Sequence, residues 1–270
     1  MKIAINVSRE FLGGITASNL SFIKHIYGQD IQTVAIEINA RRVMKGPVIF
    51  RQLNPALFDH NIINIHNYNL KEALDSSNIL KDLESYFSDV INDVYLILKE
   101  TKPDVFLISG TYYIPWILSV AAKKAGIPIV LWYSGILTKE VEHYKEKDRK
   151  LFYLMELSII KRAKKIIFPS KICKTTVEEL FHKHLTAKTY VIPNAVNKDF
   201  LSDVSVDFSV SRRIAGVGRY TYIKNFDTFF EIHKKLLQQK WDHECFFCIE
   251  YREKNTKNSH CITSNGHIRN

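Results

Sequence analysis

KIAINVSREFLGGITASNLSFIKHIY, residues 2–27, opens on an apolar run, passes a loop holding Gly13 and Gly14, and continues from Ile15 to Tyr27 with spaced apolar residues. A short apolar run of strand length, a glycine turn and then helical spacing predict strand, loop and helix in that order. Backbone without side chains at Gly13-Gly14 lets amide groups approach a phosphate, and a helix N-terminus adds positive potential there. A tight turn with Thr16 or Ser18 as helix cap accounts for the same residues equally well. The loop is not G-x-G-x-x-G, which weighs against a dinucleotide site.

Outward from this unit the pattern repeats. Strand candidates follow at 33–38 (TVAIEI), 62–66 (IINIH), 104–109 (DVFLIS), 127–133 (IPIVLWY), 165–170 (KIIFPS) and 189–193 (TYVIP). Most are continuous apolar runs, as parallel strands covered on both faces require. Helical patterns near 78–101, 114–125, 138–164 and 170–183 lie between them. Alternation of this kind predicts an α/β fold with a doubly wound parallel sheet, a Rossmann-like amino-terminal domain over residues 1–195.

After Asn194 the periodicity weakens through a polar stretch, read as a linker over 196–212. A new strand, RIAGVG (213–218), then opens a second unit with a helix from Asn225 to Gln239 and one more apolar run, CFFCIE (245–250). Residues 213–250 are expected to be part of a second Rossmann-like domain, and 251–270 a polar tail.

The second unit carries the more specific chemistry. In GVGRYTYIKNFDTFFEIHKKL (216–236) a strand ends at Gly218, Arg219 follows, and Lys224 stands five residues further on, just before the helix. Open α/β sheets bind ligands at the carboxyl ends of their strands. A guanidinium and an ammonium aimed there at one diphosphate would neutralise the charge that builds on a departing nucleotide. Solvated loop charges, with Asp227 as an ordinary first-turn acid, are the plain alternative.

These residues, taken together, resemble a known family. VGRYTYIKNFDTFFEIHKKL is similar to the V-G-R, x-x-x-x-K, N/G-x-D signature of the retaining nucleotide-sugar glycosyltransferases called family 4, which have the two-Rossmann GT-B fold. VIPNAVNKDFL resembles that family's x-P-N-G-V-D-x-x-x-F, departing at Ala195 and Asn197. MELSIIKRAKKIIFPSKICKTTV resembles its E-x-x-x-x-x-x-A-D-x-V-I-x-x-S run, and the Gly13-Gly14 loop matches as well. The resemblance spans residues 1 to 240 or so. It implies transfer of a sugar from a nucleotide-diphosphate donor to a hydroxyl acceptor, a glycan or lipid-linked one included, with retention. Arg219, Lys224, Gly13 and Gly14 would then meet the donor diphosphate, with no cofactor or metal.

Two departures carry consequences. Ser134 stands near the place after the fifth strand where the family commonly has a histidine, on the side expected to form the acceptor cleft. The family's E-x-x-x-x-x-x-x-E segment has no counterpart before Asn270. The chain is therefore expected to be a truncated enzyme lacking half of its donor site, and a catalytically inactive binding or scaffold protein is the alternative.

Composition narrows the remaining classes. At 270 residues and 46% hydrophobic side chains the chain can bury a substantial core, in one or two domains at about 100 to 200 residues each. A formal charge of +10 suits phosphate-bearing substrates, anionic membrane surfaces or nucleic acid alike. Cys173, Cys245, Cys248 and Cys261 are too sparse for a secreted disulfide framework, which favours a reducing cytoplasm. The opening MKIAINVS is too short for a secretory core, and no apolar run approaches the roughly 20 residues that span a bilayer. Membrane contact would be peripheral, and Phe152, Tyr153 and Leu154 beside Lys150 are a weak pointer to it.

Cys245-x-x-Cys248 with Cys261 and His267 has zinc-compatible ligand types, although CFFC reads more simply as a buried strand. Lys161, Arg162, Lys164 and Lys165, and His182 to His184 with Lys188, read as solvated basic faces. Glu37 at the end of the second strand is where a nicotinamide enzyme would grip a ribose, a third and weaker reading. Hydrolase triads, H-E-x-x-H, a Walker lysine and nucleic-acid motifs are absent.

Overall fold

The structure is a computed structural model; it describes residues 1–7, 14–40, 59–65, 70–181, 185, 187–195, 213–219, 224–239, 244–253, 256–263 and 268–269. Residues 39–40, 59–60, 62, 64–65, 213, 217–219 and the strands after 243 are described by their backbone. The chain divides into two units, Met1–Lys198 and Asp199–Asn270.

Seven strands build the first unit: β1 Lys2–Val7, β2 Gln32–Ala40, β3 Asp59–Ile65, β4 Val105–Ser109, β5 Ile129–Trp132, β6 Ala163–Phe168 and β7 Lys188–Val191. They form one sheet in the order β3-β2-β1-β4-β5-β6-β7, and every pairing is parallel. The helices are α1 Gly14–Ile26, α2 Leu70–Ser76, α3 Leu80–Tyr86, α4 Ser88–Thr101, α5 Tyr113–Ala125, α6 Leu137–Glu140, α7 Glu146–Arg162 and α8 Lys171–Phe181. The doubly wound α/β sheet expected from the alternation is therefore present, and its apolar strands lie buried between helices.

Each face of the sheet has its own core. Ile3, Ile5 and Val7 of β1 pack with Ile23 and Ile26 of α1, Ala35 and Leu107. Ala4, Ile36, Phe106, Ile108 and Leu131 face the larger core, in which Trp116, Ile117, Leu118 and Ala121 of α5 are fully buried. Alternation along β1 thus assigns successive residues to opposite faces. α5 is apolar around most of its circumference, as a helix covered by neighbours must be.

Two helical readings are refined, and one helix is added that the sequence did not announce. The pattern over 78–101 is two helices, because the chain turns at Phe87, whose buried ring meets Trp116 edge-on at 6.3 Å. The pattern over 138–164 is a single turn, α6, followed by α7, with Lys145 in extended geometry (ψ 150°) between them. α2 is seven residues long, too short to leave a periodic trace in the sequence.

The second unit has a four-stranded sheet in the order β11-β10-β9-β8, from β8 Arg213–Arg219, β9 Glu244–Glu253, β10 Thr256–Thr263 and β11 Ile268–Arg269. β8 and β9 are parallel with α9 Phe226–Gln238 between them in sequence, and β10 and β11 pair antiparallel. The stretch read as a polar tail therefore contains strands. TKNSHCIT has no apolar run to announce one; its extended form comes from ladder bonds to β9.

Candidate functional site

The order of the first sheet reverses between β1 and β4, so a crevice opens at their carboxyl ends, where ligands of open α/β sheets bind. A closed polar network occupies the floor of this point. Asn6 Nδ2 donates to the Ser109 carbonyl at 3.1 Å, and the Ser109 N–H donates to Asn6 Oδ1 at 2.7 Å. Asn19 Nδ2 of α1 donates to the Asn6 carbonyl at 2.6 Å, and Ser109 Oγ donates to Asn19 Oδ1 at 2.8 Å. All three residues are buried, so each bond forms out of competition with water. The network locks the first helix and the ends of two strands into one piece. Sequence reasoning passed over Asn6, Asn19 and Ser109; the one available signal was a polar residue inside the apolar run KIAINV.

Above this floor, Gly110 turns the chain with φ of 89°, and a Cβ there would meet Ile15 Cδ1 of α1 at 3.2 Å. Gly14 is the first residue of α1 and is exposed, and a Cβ on it would meet nothing within 4 Å. Nothing among the described residues demands glycine there by packing. α1 has no acidic residue in its first turn, so nothing within that turn offsets its N-terminal positive potential. Gly13 lies outside the described residues.

Ser134 is exposed just beyond β5. The loop it begins is held from two sides. A Cβ on Gly135 would meet a carboxylate oxygen of Glu140, so a larger residue there would have to displace the Glu140 side chain, which lies across the backbone. From beneath, Glu156 of α7 reaches the loop with a fully buried carboxylate. Glu156 Oε1 accepts from Tyr133 Oη at 2.9 Å and the Leu137 N–H at 3.2 Å, and Oε2 accepts from the Thr138 N–H at 2.7 Å and Thr138 Oγ1 at 2.6 Å. Burial pushes the Glu156 carboxyl above its ordinary value, and the donors of Thr138, Tyr133 and Leu137 pull back against that. Burial likewise raises the Tyr133 phenol, with Glu156 adding to it, and the Cys173 thiol nearby is raised for the same two reasons. Glu156 is the glutamate that opens the quoted E-x-x-x-x-x-x-A run, so a signal for it was in the sequence, though not for its role.

In the second unit Arg219 ends β8, in register with Glu250 of β9. Lys224 is exposed one residue before Asn225, which caps α9 in the left-handed region (φ 48°) and accepts from Thr228 Oγ1 at 3.0 Å. Phe226 and Phe229 of α9 lie 3.4 Å from where a Cβ of Gly216 would stand, so a glycine in β8 lets the helix seat closely. Both cations therefore belong to the segment joining the carboxyl end of β8 to the N-terminus of α9. Arg219 and Lys224 belong to one unit and Gly14 and Ser134 to the other.

The remaining sequence candidates fall elsewhere. Glu37 is buried within β2 beside Val7 of β1. Arg162, read as part of a solvated basic face, is half-buried instead. Its Nη1 donates to Ser119 Oγ at 3.1 Å and Ser158 Oγ at 3.2 Å, and burial lowers its pKa. Lys161, Lys164 and Lys165 are exposed. Phe152 is buried and stacks on Tyr112 at 5.4 Å, and Tyr153 stacks on Phe181 at 5.1 Å, so this pair packs within the unit rather than facing a lipid surface. His182 and His184 lie outside the described residues. Cys248 stands opposite Cys261 in the β9–β10 register, and His267 lies outside the described residues. No group of three or more His, Cys, Asp or Glu able to hold a metal occurs among the described residues, and none of their helices is long and apolar enough to cross a membrane.

A model of the family described as Glycosyltransferase Family 4 matches residues 57–200, more than half of the chain. No curated protein matches the sequence. Among solved structures the chain is similar to S. aureus MnaA with UDP (TM-score 0.52, 13% identity, 94% of this chain and 63% of that one). It is also similar to an E. coli structure described as trehalose-6-phosphate bound with UDP-2-fluoro glucose (0.58, 13%, 92% and 64%). A third is Anabaena HepE in complex with UDP and glucose (0.53, 11%, 94% and 70%). The chain thus spans 63% to 70% of the length of these structures, and at such identities the likeness establishes the fold, the GT-B type.

Proposed function

The chain belongs to glycosyltransferase family 4, and from that premise we propose that it serves the transfer of a sugar from a nucleotide-diphosphate donor to a hydroxyl acceptor, with retention at the anomeric carbon. The observation that carries the reading is the placing of Arg219 at the carboxyl end of β8 and of Lys224 before α9. In this reading the two cations hold the donor diphosphate and stabilise it as it leaves, which is where negative charge develops. Gly13 and Gly14 are further candidates for phosphate contact, through backbone amides. The hydroxyl acceptor, a glycan or lipid-linked molecule, lies against the loop of Ser134. UDP-2-fluoro glucose accompanies the similar E. coli structure, UDP accompanies S. aureus MnaA, and UDP and glucose accompany Anabaena HepE.

Calorimetric titration of the purified chain with UDP, GDP and ADP tests the clamp directly. One of these nucleotides should bind, and Arg219→Ala with Lys224→Ala should weaken it by about 100-fold or more, since each charge-assisted contact is worth roughly 1.5–3 kcal/mol. An unchanged affinity in the double variant would remove the clamp from the reading.

A further inference from the structure

We propose that Glu156 is a positioning residue for the loop Ser134–Ile136, its carboxylate serving as the cap of α6 from a different helix and so fixing that loop at the carboxyl edge of the sheet. The first N–H groups of any helix lack intrahelical acceptors. α6 is one turn of four residues, and its own N-cap, Ile136, has no side-chain acceptor to offer. Helices this short do not form unaided. Glu156 supplies what is missing: the Leu137 and Thr138 amides both end on its carboxylate, at 3.2 Å and 2.7 Å, and the Thr138 hydroxyl joins them at 2.6 Å. The Tyr133 hydroxyl, 2.9 Å away, ties the same carboxylate to the residue that precedes Ser134. The loop is therefore gripped on both of its flanks by one side chain.

The chemistry of the arrangement points to position rather than to bulk stability. Every hydrogen-bond donor to the carboxylate among the described residues is neutral: the Tyr133 and Thr138 hydroxyls and the Leu137 and Thr138 amides. A buried carboxylate without a cation costs free energy that a leucine of similar size would not, so the fold gains geometry at the expense of stability. What the geometry fixes is the exposed Ser134 and the Gly135 backbone under Glu140. The bearing of this loop on a hydroxyl acceptor rests on the function proposed above; the loop's dependence on Glu156 does not.

Hydrogen–deuterium exchange of the full chain, read on peptides covering 134–141, tests it without any ligand. Glu156→Leu should speed exchange at the Leu137 and Thr138 amides by about 30- to 100-fold while peptides from β5, β6 and α7 stay within about threefold. Glu156→Gln keeps one acceptor oxygen and should fall between, a graded rescue that simple packing would not give. Thr138→Val removes only the hydroxyl contact and should give a smaller rise at the same two amides, which covers the case in which Glu156→Leu does not fold. Unchanged exchange at 137–138 in these variants, or a uniform rise across the first unit, would overturn the proposal. Titration of the same variants with UDP, GDP and ADP separates the two ideas: a wild-type chain that binds none of them counts against the proposed function and leaves the exchange result standing.

Discussion

Asn19 makes two buried hydrogen bonds, one to the Asn6 carbonyl and one from Ser109 Oγ, and its removal would strand both partners. Asn19→Leu should therefore cost about 2–4 kcal/mol, since an unpaired buried polar group costs about 1–3 kcal/mol, and urea unfolding would measure it. A loss below about 0.5 kcal/mol would mean that the partners find new bonds. Glu156 gives a pH signature of known sign. Its folded-state pKa is raised by burial, so its contribution to stability is full below the unfolded value of about 4.3 and is lost as pH rises through the folded value. Glu156→Gln removes that titration, so the stability of the wild type relative to this variant should fall as pH climbs through the window; parallel curves from urea melts would contradict it. Legibility at this scale followed chemistry with context. The places of Arg219 at a strand end and Lys224 before a helix start were readable because the flanking runs mark both elements. Asn6 and Ser109 were not, because a polar residue in a strand discloses its partner only when another strand, 103 residues away, lies beside it.

Among the elements, the glycines separate conformational need from space. Gly110 needs both, with φ of 89° and Ile15 close by, so Gly110→Ala should cost about 1–2 kcal/mol. Gly126 caps α5 with φ of 76° in open space, and its alanine variant should cost about 1 kcal/mol. Gly14 needs neither, and Gly14→Ala should raise the melting temperature slightly through helix propensity while weakening nucleotide binding if its bare backbone meets a phosphate. Unaltered UDP affinity in that variant would take Gly14 out of the donor site. The strands of the first sheet were legible as apolar runs because both faces of a parallel sheet are covered. The breaks at Phe87 and before α7 were not, since no proline or glycine marks either place and tertiary packing sets them. β10 was hidden for the complementary reason, its polar residues owing their extended form to pairing alone.

At the scale of the molecule, the first unit carries its own two-sided core and should stand alone. A fragment Met1–Lys198 should unfold in one cooperative transition by circular dichroism and fail to bind UDP, because Arg219 and Lys224 lie in the other unit. Nucleotide binding by that fragment would move the donor site into the first unit. The Asn6–Ser109 bonds also set an order of events during synthesis. β1 takes β2 as a partner soon after residue 32 emerges, but its second edge waits for β4, where Ile3 pairs with Val105. Contacts so distant in sequence slow folding, and an apolar strand with one edge open invites wrong partners meanwhile. The polar floor of the crevice is thus a late closure: until Ser109 arrives, Asn6 sits in a half-built sheet with its side-chain bonds to β4 unmade.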